Sequence, residues 1–98
     1  MKITYVKVKL ENRDRDNNLR GKATVTIDEA IAIHDIKILE GSEGNLYLGM
    51  PSRKLPTGKH VDIVHPINSE TRAEFERVIY EEYEKELERK NNPENTEE

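Results

Sequence analysis

The sequence contains no cysteine, no tryptophan and a single phenylalanine. Without thiols there are no disulfides, no thiolate nucleophiles and no zinc-thiolate sites, which fits a reducing cytoplasm. Apolar residues are also scarce, at 34% of 98 positions against 37% charged. No stretch approaches the roughly 20 apolar residues of a membrane helix. The opening Met1-Lys2-Ile3-Thr4-Tyr5 lacks the apolar run of a signal peptide. These absences lead us to expect a soluble cytoplasmic protein with no membrane partner. A chain of this length buries only roughly 60–65% of the surface its unfolded form exposes. Its own core is thin, so a partner surface is expected, most simply a second copy.

The motifs of enzymes are missing as well. Thr57-Gly58-Lys59 lacks the upstream glycine and the following Ser or Thr of a phosphate-binding loop, and Ser42, Ser52 and Ser69 lie in no G-x-S-x-G elbow. His34 and Asp35 are neighbours on a strand and point to opposite faces, which prevents them from pairing. His65, before Pro66, is read as satisfying a buried backbone group. In His60-x-Asp62-x-x-His65 the first two residues share a face and the third does not, leaving at most two metal ligands. We therefore expect no catalytic residue, no metal, no cofactor and no small-molecule substrate.

What is present is patterned. Lys2 to Leu10 alternates Val6, Val8 and Leu10 with Lys7 and Lys9, the signature of a half-buried strand. Arg13-Asp14-Arg15-Asp16-Asn17-Asn18 is turn material, after which Leu19, Ala23, Val25 and Ile27 alternate with polar residues to complete a hairpin. Ala30 to Leu39 is a third strand whose apolar parity switches near His34-Asp35, indicating a bulge or burial on both faces. A turn at Gly41 to Asn45 leads to a short strand, Leu46 to Met50. Ser52 to Lys59 reads as an exposed loop and Val61 to Val64 as a last strand.

Asn68 or Ser69 can cap a helix of about 20 residues whose Phe75, Val78, Ile79, Tyr83 and Leu87 share one face. Glu81/Lys85 and Glu86/Lys90 are spaced as i,i+4 pairs. Asn91 to Glu98 has no apolar residue and reads as a disordered acidic tail. The expected architecture is α+β: residues 1–90 form one domain, an antiparallel meander of four to five strands followed by one C-terminal helix.

Three segments resemble the sporulation stage V protein G (SpoVG) family: Ile33-His34-Asp35-Ile36-Lys37-Ile38 followed by Gly41, Met50-Pro51-Ser52-Arg53-Lys54, and Asp62-Ile63-Val64-His65-Pro66-Ile67-Asn68. Their order and spacing match, including the Pro56-Thr57-Gly58 turn, and the resemblance extends to about residue 85. It implies a small sheet with a C-terminal helix, a homodimer formed through the sheet, and binding to DNA, with RNA as a second ligand. Sporulation, septation and gene regulation would be the cellular outcomes. The chain departs from the family pattern at Gly49, where alanine is common, and in its Asn17-Asn18 turn and charged helix end.

The net charge of -4 is unevenly divided, with 11 Lys/Arg against 9 Asp/Glu up to residue 68 and 5 against 11 beyond it. Nucleic-acid binding would therefore need a local basic patch. Arg53, Lys54 and Lys59, with His60, form such a patch without an acid among them, and Ser52 and Thr57 can add hydrogen bonds to phosphate. Arg72, with Arg77, lies on the first turns of the helix, where a side chain can reach bases. Arg13, Arg15, Arg20 and Lys22 form a second basic set that Asp14 and Asp16 partly cancel. Tyr47 is the tyrosine expected to be exposed, but no strand carries a cluster of aromatics, so a base-stacking platform is not inferred. The alternative is a protein-interaction module that uses the acidic helix and tail.

Overall fold

The structure, a computed structural model, describes residues 1–11 and 18–91. The turn residues Arg13 to Asn17 and the acidic segment from residue 92 lie outside the described residues. Strands β1 (Ile3–Leu10), β2 (Leu19–Ile27), β3 (Ile31–Glu40) and β4 (Leu46–Gly49) form an antiparallel meander in the order β1-β2-β3-β4. Helix α1 follows at Ser69–Asn91, running one residue past the expected boundary at position 90. Between them, β5 (Ser52–Lys54) and β6 (His60–Asp62) pair as a separate two-stranded ribbon. This corrects the reading of 52–59 as a loop: three exposed polar residues carry no apolar alternation, yet their backbone is paired.

The turns follow from their residues. In both Gly41-Ser42-Glu43-Gly44-Asn45 and Leu55-Pro56-Thr57-Gly58-Lys59, the fourth residue is a glycine at positive φ, 88° at Gly44 and 92° at Gly58. Its amide bonds back three residues, and the first residue's amide bonds to the fifth carbonyl, at 2.7 Å in each turn. This is the three-residue hairpin loop with a glycine bulge, and Pro56 supplies the fixed φ its second position favours. The β2–β3 connection is tighter and more strained, since Asp28 and Glu29 both adopt left-handed φ values near 54°. It is tied down from outside: the Asp28 amide donates to the Lys2 carbonyl, the Lys2 amide to Asp28 Oδ1, and the Glu29 amide to Thr4 Oγ1.

The parity switch in β3 is a bulge. Ala23 faces Ile36 and Val25 faces Ile33, so Thr24 opposes both His34 and Asp35, with Asp35 left-handed at φ 63°. The extra residue brings Ile33, Ile36 and Ile38 onto one face, where Ile36 and Ile38 are wholly buried with Val8, Ala23, Val25, Leu48 and Met50. Helix α1 covers that face with Phe75, Ile79 and Tyr83, one i,i+4 stripe. Asn68 is the cap, its Oδ1 accepting from the Thr71 amide at 2.7 Å. Among the described residues the helix carries the surface ion pairs Arg72–Glu76, Arg77–Glu81 and Arg89 with Glu82 and Glu86, and the expected Glu81/Lys85 and Glu86/Lys90 pairs are not among them. Among the described residues no helix is long and apolar enough to cross a membrane.

Candidate nucleic-acid interface

The helix covers one face of the four-stranded sheet. Among the described residues no element covers the other face, and strand alternation dictates what it displays. Because Val6, Val8 and Leu10 turn inward, Tyr5, Lys7 and Lys9 turn outward; Lys22, Thr24 and Thr26 on β2, Lys37 and Leu39 on β3, and Tyr47 and Gly49 on β4 do the same. Lys9 is directly opposite Lys22, Lys22 opposite Lys37, and Lys37 opposite Gly49. Three lysines thus stand in one row across three adjacent strands, all exposed, and none is ion-paired among the described residues. Facing side chains in such a row have Cβ atoms only about 5 Å apart, close enough for like charges to destabilise the sheet. Glu11 and Asp35 border a shallow depression of about 340 Å³ on this face, shared with Lys7, Lys9, Lys22 and Thr24.

Around the β1 edge, Lys7 and Lys9 also line an open groove of about 700 Å³ with Arg89, Lys90 and Glu86 of the helix end. The second basic set of the sequence is divided by the fold. Arg20 is folded back on Glu40, Nε to Oε1 at 2.8 Å, and is largely buried, whereas Lys22 belongs to the open face. Arg13 and Arg15 lie outside the described residues.

The residues expected to contact nucleic acid, Ser52, Arg53, Lys54, Lys59 and His60, are all exposed on or beside the β5–β6 ribbon. The ribbon does not aim them together. Lys54 is opposite His60 and Ser52 opposite Asp62, so these four share one side, while Arg53 pairs with Val61 and leaves from the other. Asp62 therefore adds a carboxylate to the side that carries Lys54. Lys59 follows Gly58 at the turn. Arg72 is in the first turn of α1 and lies 3.7 Å from Glu76, half-exposed.

His34 Nδ1 is 3.4 Å from Thr24 Oγ1. His65 is exposed, with Nδ1 2.9 Å from the Pro66 carbonyl, so the backbone group it meets is not a buried one. No group of three or more His, Asp or Glu that could hold a metal occurs among the described residues.

Sequence reading missed the open face as a unit. The alternation of Lys7 and Lys9 with Val6 and Val8 was the available signal, but the row forms only once the registers of three strands are set.

A family model described as SpoVG matches residues 1–85. Among relatives, the protein named "Putative septation protein SpoVG" of Caldanaerobacter subterraneus subsp. tengcongensis is 46% identical over 94 residues, covering 96% of this chain and all of the relative. Proteins of the same name from Clostridium novyi and Bdellovibrio bacteriovorus are 42% and 45% identical, covering 100% and 89% of this chain and 95% and 77% of those proteins. With the sheet and helix already in place over the matched residues, these likenesses mean that the chain belongs to the SpoVG family.

Proposed function

We propose that this protein is a nucleic-acid-binding regulator of gene expression, not an enzyme, acting in the cytoplasm as a homodimer in processes tied to sporulation and septation. DNA is its ligand, with RNA as a second. The carrying observation is the row Lys9-Lys22-Lys37, three cations in register with no ion-pair partner and no covering element among the described residues. A sheet under selection for stability alone has no use for like charges in register, whereas a polyanion that neutralises them releases counterions and gains affinity. The exposed cations of the β5–β6 ribbon supply further phosphate contacts; most carboxylates of the described residues are on the helix, and Glu11 and Asp35 border the open face. The names of the relatives support the link to septation.

The dimer in this proposal pairs the sheets edge to edge, leaving the lysine face free. Two open faces packed together would oppose their own positive charges. Edge strand β1 begins beside an apolar groove of about 300 Å³ whose lining includes Met1, Ile33, Met50 and Ile67. Ile67 is 86% exposed and Met1 63%, and burying both against a second copy would enlarge the thin core.

The test is a titration with mixed-sequence DNA and RNA at low salt, comparing the parent with Arg53→Ala/Lys54→Ala/Lys59→Ala. If all six such cations of a dimer met phosphates, log affinity would fall with log salt at a slope of roughly -5 on duplex DNA. The triple variant should bind more weakly and with a flatter slope, its fold unchanged. Because Arg53 and Lys54 leave opposite sides of the ribbon, single substitutions should weaken binding unequally. An unaltered triple variant would restrict the contact surface to the sheet face. Absence of binding to any nucleic acid at low salt would overturn the proposal in favour of the acidic helix as a protein-docking element.

A further inference from the structure

Two tyrosines stand on the open face, at diagonally opposite corners. Tyr5 is on edge strand β1, opposite Thr26, and is 57% exposed; Tyr47 is on edge strand β4, opposite Leu39, and is 40% exposed. Asn18 Nδ2 donates to the Tyr47 hydroxyl at 2.9 Å, which fixes that ring's position although it lies at the surface. Three strand spacings and about seven residues of rise separate the corners, a diagonal of roughly 25 Å. Lys7 and Lys9 lead up β1 from Tyr5, and Lys22 and Lys37 continue from Lys9 across the sheet towards the corner of Tyr47. Small side chains, Thr24, Thr26, Ala32 and Gly49, make up part of the same face, beside Leu39, His34 and Asp35.

We infer that this path between the two corners is a binding track for an unpaired nucleic-acid strand, with Tyr5 and Tyr47 each stacking a base and the lysines between them holding phosphates. The inference rests on the nucleic-acid reading above and specifies its ligand and place. The form of the track favours a single strand. A tyrosine ring offers its stacking face only to a base that is not already enclosed in a duplex, and a flexible chain can follow lysines that run up one edge strand and then turn across the sheet. A duplex would present phosphates to the lysines but no base to either ring. The two ends thus distinguish strand from duplex, whereas the lysines alone do not.

The experiment uses the full chain and a labelled 20-nucleotide strand of mixed sequence, as DNA and as RNA, alongside the same DNA sequence as a duplex, followed by anisotropy at low salt. The single strand should bind more tightly than the duplex. Tyr5→Ala/Tyr47→Ala should lower single-strand affinity by about 30-fold or more, since stacking on each aromatic contributes roughly 1–3 kcal/mol, and should change duplex affinity less than twofold. Tyr5→Phe/Tyr47→Phe keeps both rings while removing the hydroxyl that meets Asn18, and should retain most of the parent's affinity. Lys9→Gln/Lys22→Gln/Lys37→Gln should flatten the single-strand salt slope by about 2.

Parental single-strand affinity in the alanine double variant would overturn the track, as would tighter binding to duplex. If duplex binding persists and is lost only in the ribbon variant, the track is wrong but the broader nucleic-acid reading stands. If neither strand nor duplex binds, both fall.

Discussion

Lys22 has a lysine opposite it on each side, Lys9 and Lys37, and none of the three has a carboxylate partner among the described residues. Replacing the central charge relieves two repulsions at once. Lys22→Gln should therefore stabilise the free protein by roughly 0.2–1 kcal/mol at low ionic strength, raising the melting temperature by a few degrees. The gain should vanish near 1 M salt, where screening acts over about 3 Å. Calorimetry at two salt concentrations checks this, and no gain at low salt would mean that Glu11 and Asp35 already balance the row. Gly49, at the end of the row, is a departure from the family pattern that the structure accommodates. A Cβ there would lie 3.0 Å from Leu39 Cδ1, the free end of a side chain able to swing aside.

At the scale of elements, α1 and the sheet are joined by the Phe75, Ile79 and Tyr83 stripe and by one polar link, the Tyr80 hydroxyl donating to the Leu46 carbonyl at 3.2 Å. Burial raises the Tyr80 pKa above 10.0, with Glu76 adding to the rise and Arg72 opposing it. A raised folded-state pKa means that the folded protein holds this proton more tightly than the unfolded chain. The associated stability is fully present below the unfolded value, near 10, and is lost as pH rises through the folded one. Tyr80→Phe should cost about 1 kcal/mol at neutral pH, the net value of one hydrogen bond. Denaturant titrations should show its deficit shrinking above pH 10, where the parent's phenol begins to ionise. A deficit that stays constant into strong alkali would show that the Tyr80–Leu46 bond contributes nothing to docking the helix.

At the scale of the whole molecule, ten of the described residues form the buried core, and Met1, Ile31, Ile63 and Ile67 remain exposed. Sedimentation at micromolar concentration should show a dimer. Ile67→Lys should shift it towards monomer without unfolding it, because a side chain 86% exposed in the protomer has little to lose there. If the variant remains as dimeric as the parent, the apolar groove is not part of the contact. A parent that is monomeric at every concentration would remove the dimer altogether.

Much of this fold is legible in the sequence because its signals are local. Alternation marks β1 to β4, Pro56 and Gly58 mark their turn, Asn68 marks the cap, and the spacing of Phe75, Ile79 and Tyr83 marks the buried stripe of α1. The parity switch at His34-Asp35 marks the bulge for the same reason, since a strand with one face buried reveals an extra residue as a change of phase. The three motifs of the family resemblance are local as well. The ribbon strand Ser52–Lys54 was not legible, because a strand exposed on both sides leaves no apolar period.

The candidate site divides in the same way. That Arg53, Lys54, Lys59 and His60 are exposed follows from their composition, but the opposite directions of Arg53 and Lys54 depend on β6 being their partner. The sequence by itself determined the order and kind of β1 to β4 and α1 and the inward or outward parity of most of their residues, since these depend on neighbours a few positions away. Only the tertiary structure decided that Lys9, Lys22 and Lys37 form one row and that Tyr5 and Tyr47 share its face. Cross-strand register joins residues far apart in the chain, and a slip of one residue would turn a strand's outward side chains into the core.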